Sequence, residues 1–434
     1  MAQVLADPGG VPAAMSVRLL VLALCTGCAV QISTQSETAI SFQDKIPDYL
    51  ASLEIPSESH WVETDDGYIL GAFRLANPGR PVLLLQHGIL ASAWCWLIND
   101  PELSPALRLY HLGYDVWLTN TRGNTFSRNH TKWNPDEDEE FWAFSFTDMG
   151  RYDVPSNIAY ILKATGKTDL IFVGWSQGTS QFFVSMTDPK VREYVKSTVR
   201  LFVALSPVAF LANQKSNFFA ALGNMHVADA VMAYHPYAFL DATETGAPLQ
   251  RINEFFCRVT MGIMCKLTVD LFCGTSPEDE WGAITNMSAH FPAGTSVRSM
   301  LHYQQLYLSK RFAEFDFGAE KNLEVYGNET APAMDLGQAT VPTALFGAGH
   351  DLLSDLEDLS TLVTTIAPTE MLEFSNVWPQ FSHATWFVGN PTAFQKWFPQ
   401  LVRVLAKYTP AESQAQVAQA SAGTYKSGLL RQAT

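Results

Sequence analysis

The stretch Thr168–Thr179, TDLIFVGWSQGT, decides how the rest of the chain is read. Leu170-Ile171-Phe172-Val173 is an apolar run of the kind that forms a strand buried on both faces. Gly174-Trp175-Ser176-Gln177-Gly178 then turns abruptly, and the small polar residues after it can continue as a helix. Strand, G-x-S-x-G, helix is the context of a nucleophile elbow. So tight a turn presses backbone on backbone, so the positions two before and two after the serine must lack a side chain. Gly174 and Gly178 meet that need. The turn lifts the Ser176 hydroxyl off the sheet and aims the Gln177 N–H at the place where an oxyanion would form. The motif alone is weak, since three fixed residues arise by accident in roughly one chain in ten of this length. The rest of the chain must supply a second oxyanion donor, an acid and a histidine.

Working outward, Pro81–Gln86 (PVLLLQ) reads as a second strand buried on both faces, apolar through Leu85, and it ends at His87-Gly88-Ile89. A His-Gly after a central strand is where a second oxyanion donor belongs, which nominates the Ile89 N–H. Tyr114–Leu118 and Val199–Leu205 add strands, and Phe146–Ala164 reads as a helix closed by Gly166. Upstream lie an amphipathic helix over 38–55 and a hairpin, His60–Glu63 and Tyr68–Arg74, turned by Asp65-Asp66-Gly67. Strands alternating with helices predict an α/β fold with a mostly parallel sheet and right-handed crossovers. The alternation stops over 208–325, a segment rich in Phe, Met, Ala and His that reads as an inserted helical cap and lid. It resumes with strands at 341–346 and 371–374 and a last helix, Pro391–Tyr408. The core is thus expected over 31–207 and 326–408, with a disordered tail at 409–434.

The chain has 434 residues, 47% hydrophobic and only 16% charged, so it is globular rather than disordered. Its formal charge is 28 − 43 = −15, which repels phosphate backbones and excludes nucleic acid as a partner. Ser16-Val17-Arg18 followed by Leu19–Cys25 and the small residues Gly27-Cys28-Ala29 reads as a signal peptide within residues 1–30, with Met1 or Met15 as its start. Its apolar core is too short to span a bilayer. Sequons at Asn129, Asn286 and Asn328 agree with entry into the secretory pathway. Cys257, Cys265 and Cys273 are evenly spaced with no histidine among them, which is wrong for a zinc site. No metal or organic cofactor is expected.

A serine nucleophile needs a base, and the base needs an orienting carboxylate. α/β-Hydrolases place them in the order serine, acid, histidine, each after a strand. Here that order is met by Ser176, Asp351 and His383. Asp355, Glu357 and Asp358 compete for the acid role, but Asp351 directly follows the Gly-rich strand end; it also suits a helix N-cap. His350 follows a late strand too, but in the wrong order.

The runs LLLQHGILASAWCWLIN, YDVWLTNTRGNTFSRNH, EFWAFSFTDMGRYDVPSNIAYIL, VGWSQGT, FPAGTSVRSMLHY and DLLSDLEDL resemble the acid lipases, gastric, lysosomal and steryl-ester, over roughly residues 38–408. The resemblance implies an α/β-hydrolase core with a cap, hydrolysis of triacylglycerols or steryl esters at a lipid–water interface, and an acidic optimum. It supports Ser176, Asp351 and His383 as the triad and Ile89 with Gln177 as the oxyanion hole. It also implies a Cys257–Cys265 disulfide with Cys273 free. The expected enzyme is secreted or lysosomal/vacuolar, acts on neutral lipid esters, and is a monomer. A carboxylesterase for soluble short-chain esters and a non-catalytic lipid carrier are the alternatives. Two residues depart from the family's pattern. Trp175 replaces a histidine beside the nucleophile, and Thr385 replaces an aspartate two residues after His383.

Overall fold

Unbroken apolar runs are stable only between two covering layers, and three such runs set the middle of this molecule. The computed structural model describes residues 45–216, 237–241, 255, 257, 259–260 and 262–410. The expected signal peptide, most of the tail and part of the expected cap lie outside the described residues. In chain order the elements are α1 (Lys45–Ser52), β1 (Ser57–Glu63), β2 (Ile69–Leu75), β3 (Val82–Gln86), α2 (Pro105–His111), β4 (Asp115–Thr119), α3 (Val154–Thr165), β5 (Leu170–Trp175), α4 (Gln177–Thr187), α5 (Arg192–Thr198) and β6 (Val199–Leu205). Then come α6 (Ile263–Cys273), α7 (Trp281–Ser288), α8 (Val297–Ser309) and α9 (Ala319–Tyr326). The chain closes with β7 (Thr343–Ala348), α10 (Leu356–Ile366), β8 (Leu372–Trp378), α11 (Thr385–Val388) and α12 (Pro391–Tyr408).

Eight strands form one sheet in the order β1-β2-β4-β3-β5-β6-β7-β8. Only the β1–β2 and β2–β4 pairs are antiparallel. Every residue of β3, β4 and β5 is buried. One apolar cluster, with Leu50, Leu107, Trp397 and Leu401, covers one face; another, with Phe146, Ile158, Phe182 and Phe202, covers the other. The register aligns the strands' C-terminal ends: Gln86 pairs with Gly174, Trp175 with Leu205, Leu205 with Phe346, and Ala348 with Trp378. The loops that leave β3, β5, β7 and β8 therefore emerge at one rim.

Two elements differ from the sequence reading. The helix expected over 146–164 opens with a short α-helical turn at Phe146–Asp148 and widens to a π-helical turn at Met149–Asp153 before α3 proper, with Pro155 in the first turn of α3. Proline cannot donate to the carbonyl four residues back and its ring crowds it, so the backbone widens there. The last strand runs on to Trp378 because its polar residues Glu373, Ser375 and Asn376 face solvent at the sheet's edge. Thr409 is also packed, its hydroxyl bonded to Tyr114 at 2.9 Å.

Between β6 and β7 the regular elements among the described residues are helices, apart from a two-residue antiparallel pairing of Ala238–Phe239 with Thr295–Ser296. Cys257 and Cys265 form a disulfide, and Cys273 is free. Cys95, not singled out from the sequence, is a second free thiol and is buried.

The loop after β4 carries Arg122, fully buried. It donates through Nε to Asp153 at 2.8 Å and through both terminal nitrogens to Asp66 at 2.6 and 2.9 Å. Its guanidinium also lies 3.9 Å from the Tyr68 ring centre. Removing one partner of such a group strands the other charges without water. Arg122→Met is expected to lower the unfolding free energy by about 3–5 kcal/mol, measured by urea denaturation.

Candidate active site

Ser176 sits at φ 53, ψ −119, between β5 and α4. A non-glycine residue holds such a conformation only when its surroundings enforce it. Three glycines supply the enforcement by allowing close approach. A Cβ on Gly174 would lie 2.8 Å from the Gly178 carbonyl, and one on Gly178 would lie 2.6 Å from the Gln86 oxygen. One on Gly88 would lie 2.9 Å from the Ser176 Cβ. The end of β3 is thus pressed onto the elbow. The Ser176 N–H donates to Leu205 O at 3.1 Å, which ties the turn to β6.

The candidate donors flank this serine. Gln177 is the first residue of α4, where first-turn N–H groups have no helical acceptor. Ile89 belongs to the same peptide unit as the Gly88 carbonyl. The His87 Nδ1–H donates to that carbonyl at 2.7 Å. In a trans peptide the N–H points opposite to the C=O, so His87 sets the direction of the Ile89 N–H. The His87 Nε2 accepts from Thr121 N–H at 3.2 Å and Asn124 Nδ2 at 3.0 Å, which requires the neutral ring. Burial lowers His87 to about 4 from its ordinary 6.5, so the ring stays neutral in mild acid. Sequence reasoning used His87 only as part of the His-Gly that nominates Ile89; its own bonding role is visible only once Asn124 and Thr121 are beside it.

Asp351 and His383 come together across 32 residues of sequence. The His383 Nδ1–H donates to the two Asp351 oxygens at 2.9 and 2.8 Å. Asp351 Oδ1 also accepts from the N–H groups of Leu353 and Ser354, both at 2.8 Å. It therefore acts both as a turn cap and as the histidine's partner. The competing acids are engaged elsewhere: Asp355 caps α10, and Asp358 binds Asn213. His350 is exposed and bonds Thr275 O. The His383 Nε2 is buried and has no hydrogen-bond partner. Ser176 and Ile89 line one small cavity with Val208, Leu211, Tyr303 and Leu353. Trp175 anchors the His383 loop, its Nε1–H donating to His383 O at 2.9 Å.

Among the described residues no cluster of His, Cys, Asp and Glu could hold a metal ion. Asn129 and Asn328 are exposed, while exposed Asn286 lies in α7 and donates to Ile98 O at 3.2 Å. Among the described residues no helix is long and apolar enough to cross a membrane.

A family model for the alpha/beta hydrolase fold matches residues 81–376, and one for a partial alpha/beta-hydrolase lipase region matches 46–100. The gastric triacylglycerol lipase of Bos taurus is 36% identical over 81% of this chain and 88% of its own. The human lysosomal acid lipase/cholesteryl ester hydrolase is 34% identical with the same coverage of both chains. The chain belongs to the acid lipase family. This acid lipase is a serine ester hydrolase with the α/β-hydrolase fold. A solved structure from Sulfolobus solfataricus shares that fold, with a TM-score of 0.51 at 12% identity over 81% of this chain and 94% of that one.

In this acid lipase, His87→Ala would free the peptide that carries the Ile89 N–H. The expected result is a loss in kcat approaching 100-fold with little change in KM, measured on a soluble nitrophenyl ester. The pH sign follows from the lowered value: the stability due to neutral His87 is complete above 6.5 and is lost as pH falls through about 4.

Proposed function

We propose that this enzyme is a lipase that hydrolyses the carboxylic ester bonds of triacylglycerols, steryl esters or both, through Ser176, His383 and Asp351. One observation carries the reading. His383 is held through Nδ1 by both Asp351 oxygens while its Nε2 stays buried and unengaged, on the rim that bears Ser176. That is the protonation pattern of a general base awaiting a hydroxyl proton.

In this mechanism His383 accepts the Ser176 proton as Oγ attacks the acyl carbonyl. Asp351 stabilises the imidazolium, and the N–H groups of Ile89 and Gln177 bind the oxyanion. His383 then protonates the leaving alkoxide, and water resolves the acyl-enzyme by the same steps in reverse. No metal or organic cofactor takes part.

Two features support a greasy substrate. The cavity at Ser176 is walled by Ile89, Val208, Leu211 and Leu353. A second apolar cavity lies behind Trp175, between Cys95, Val269, Phe272, Met287 and Phe387. On α6 and α7, Ile263, Met264, Leu267 and Trp281 are exposed, which suits transient contact with a lipid surface. The relatives' names point to triacylglycerol and cholesteryl ester. They also favour secretion or a lysosomal/vacuolar site, reached by a signal peptide and with glycosylation at the exposed sequons Asn129, Asn286 and Asn328.

Ser176→Ala is expected to abolish ester turnover, leaving at most a residual about 10³-fold above water; full activity in that variant would refute the serine mechanism. A panel of triolein, tributyrin and cholesteryl oleate, assayed below and above each solubility limit, separates a lipase from a soluble esterase by the jump in rate when droplets form. Trp175→His replaces one wall of the second cavity with a smaller side chain. It should raise the rate on triolein relative to tributyrin by about ten-fold, read from the ratio of kcat/KM values.

A further inference from the structure

The loop that carries His383 is gripped by a segment of the insertion, residues 273–280. The His383 N–H donates to Cys273 O at 2.9 Å, the Asn390 N–H to Glu278 O at 2.7 Å, and the Glu280 N–H to Val388 O at 2.6 Å. Inside this clamp lies a side-chain hydrogen bond between the two segments. Thr385 Oγ1 donates to Asp279 Oδ1 at 2.7 Å, with both residues buried. Because that proton is spent on the carboxylate, the Ser382 hydroxyl must donate to Thr385 Oγ1, at 2.9 Å. The Ser382 N–H donates to the same oxygen at 2.8 Å. Ser382 directly precedes His383. Thr385 stands where the family pattern has an aspartate, and the carboxylate now reaches it from the other side of the joint.

We propose that Asp279 and Thr385 are positioning residues for His383, forming the buried joint by which the inserted segment holds the histidine loop against the nucleophile. This rests on the assignment of His383 as the base. The joint is also sensitive to charge. Asp279 Oδ2 is buried without a hydrogen-bond partner, and the Lys266 ammonium stands 3.7 Å away. Lys266 is itself paired with Asp270 one turn along α6. The other charged groups around the joint are Asp351 with His383, the Glu278–Lys396 pair reaching from α12, and Glu280 at the start of α7. Cys273 beside them has its thiol pushed up by burial and by the surrounding carboxylates, and stays neutral. Burial raises the Asp279 carboxyl from 3.8 to about 6, with Asp270 adding to the rise and Thr385 and Lys266 opposing it. For a carboxyl raised on folding, the stabilisation is complete below 3.8 and is lost as pH climbs through about 6. Burying the Asp279 carboxyl therefore costs least in acid, where it is neutral and Oδ1 still accepts from Thr385.

The test compares Thr385→Val, Thr385→Ser and Asp279→Asn with the parent full chain on a soluble nitrophenyl ester, across the acid-to-neutral range. Valine keeps the shape of threonine but removes the oxygen that holds Ser382. Thr385→Val should lose about ten-fold or more in kcat with KM unchanged, and Thr385→Ser should restore it. Asp279→Asn keeps an acceptor that cannot ionise, so it should retain acid activity and carry it to higher pH than the parent. Parental kcat in Thr385→Val, failure of serine to rescue, or an unaltered pH profile in Asp279→Asn would overturn the proposal. Ser176→Ala, run alongside, separates the two readings. If it is inactive while Thr385→Val matches the parent, only the joint is refuted; if it still turns over ester, the triad assignment falls and the joint with it.

Discussion

A single strained residue governs this molecule. Ser176 at φ 53 can persist only where close backbone packing leaves no relaxed alternative. Gly174, Gly178 and Gly88 permit approaches that any Cβ would forbid, and they bring the ends of β3, β5 and the start of α4 into contact. The same packing puts the His87-Gly88-Ile89 turn directly over the serine. Strain, nucleophile presentation and the candidate oxyanion hole are therefore one construction, and the surrounding sheet is what keeps it from relaxing.

The acid and the histidine are held by different means. Asp351 is fixed by two N–H donors of its own turn, so its carboxylate has an orientation that does not depend on the histidine alone. The His383 loop has less local structure of its own and borrows its geometry from outside. Trp175 holds its carbonyl, and residues 273–280 hold its backbone along most of its length. The segment between β6 and β7 thus does more than link two strands. It supplies one side of the mount for the proposed general base, and it does so with a carboxyl whose charge changes near the acid edge of neutrality.

Much of this was legible from residues alone. The elbow needs glycine at two fixed offsets from a serine, and that demand is written in the chain itself as Gly174 and Gly178. The unbroken apolar runs at 82–85 and 170–173 reveal strands buried on both faces, and the α/β-hydrolase order of serine, acid and histidine is then matched at strand ends. The competing carboxylates were harder to rank. Asp355 and Asp358 were set aside by a rule of position, and the structure shows why they are unavailable: each already serves a cap or an amide. Cys95, the π-helical turn at 149–153 and the role of His87 escaped because each depends on a neighbour distant in sequence or on a local clash.

The chain by itself determined which strands exist, where the backbone must turn without side chains, and which three residues are the candidates for serine chemistry. These follow from short-range demands of sterics, burial and periodicity, which act on consecutive residues. Only the tertiary structure decided that His383 Nδ1 meets Asp351, that His87 turns the Ile89 peptide, and that Asp279 reaches Thr385 across 106 residues. Those contacts join segments with no common local pattern, and their geometry is set by how the sheet's register and the packed insertion bring separate loops to one rim.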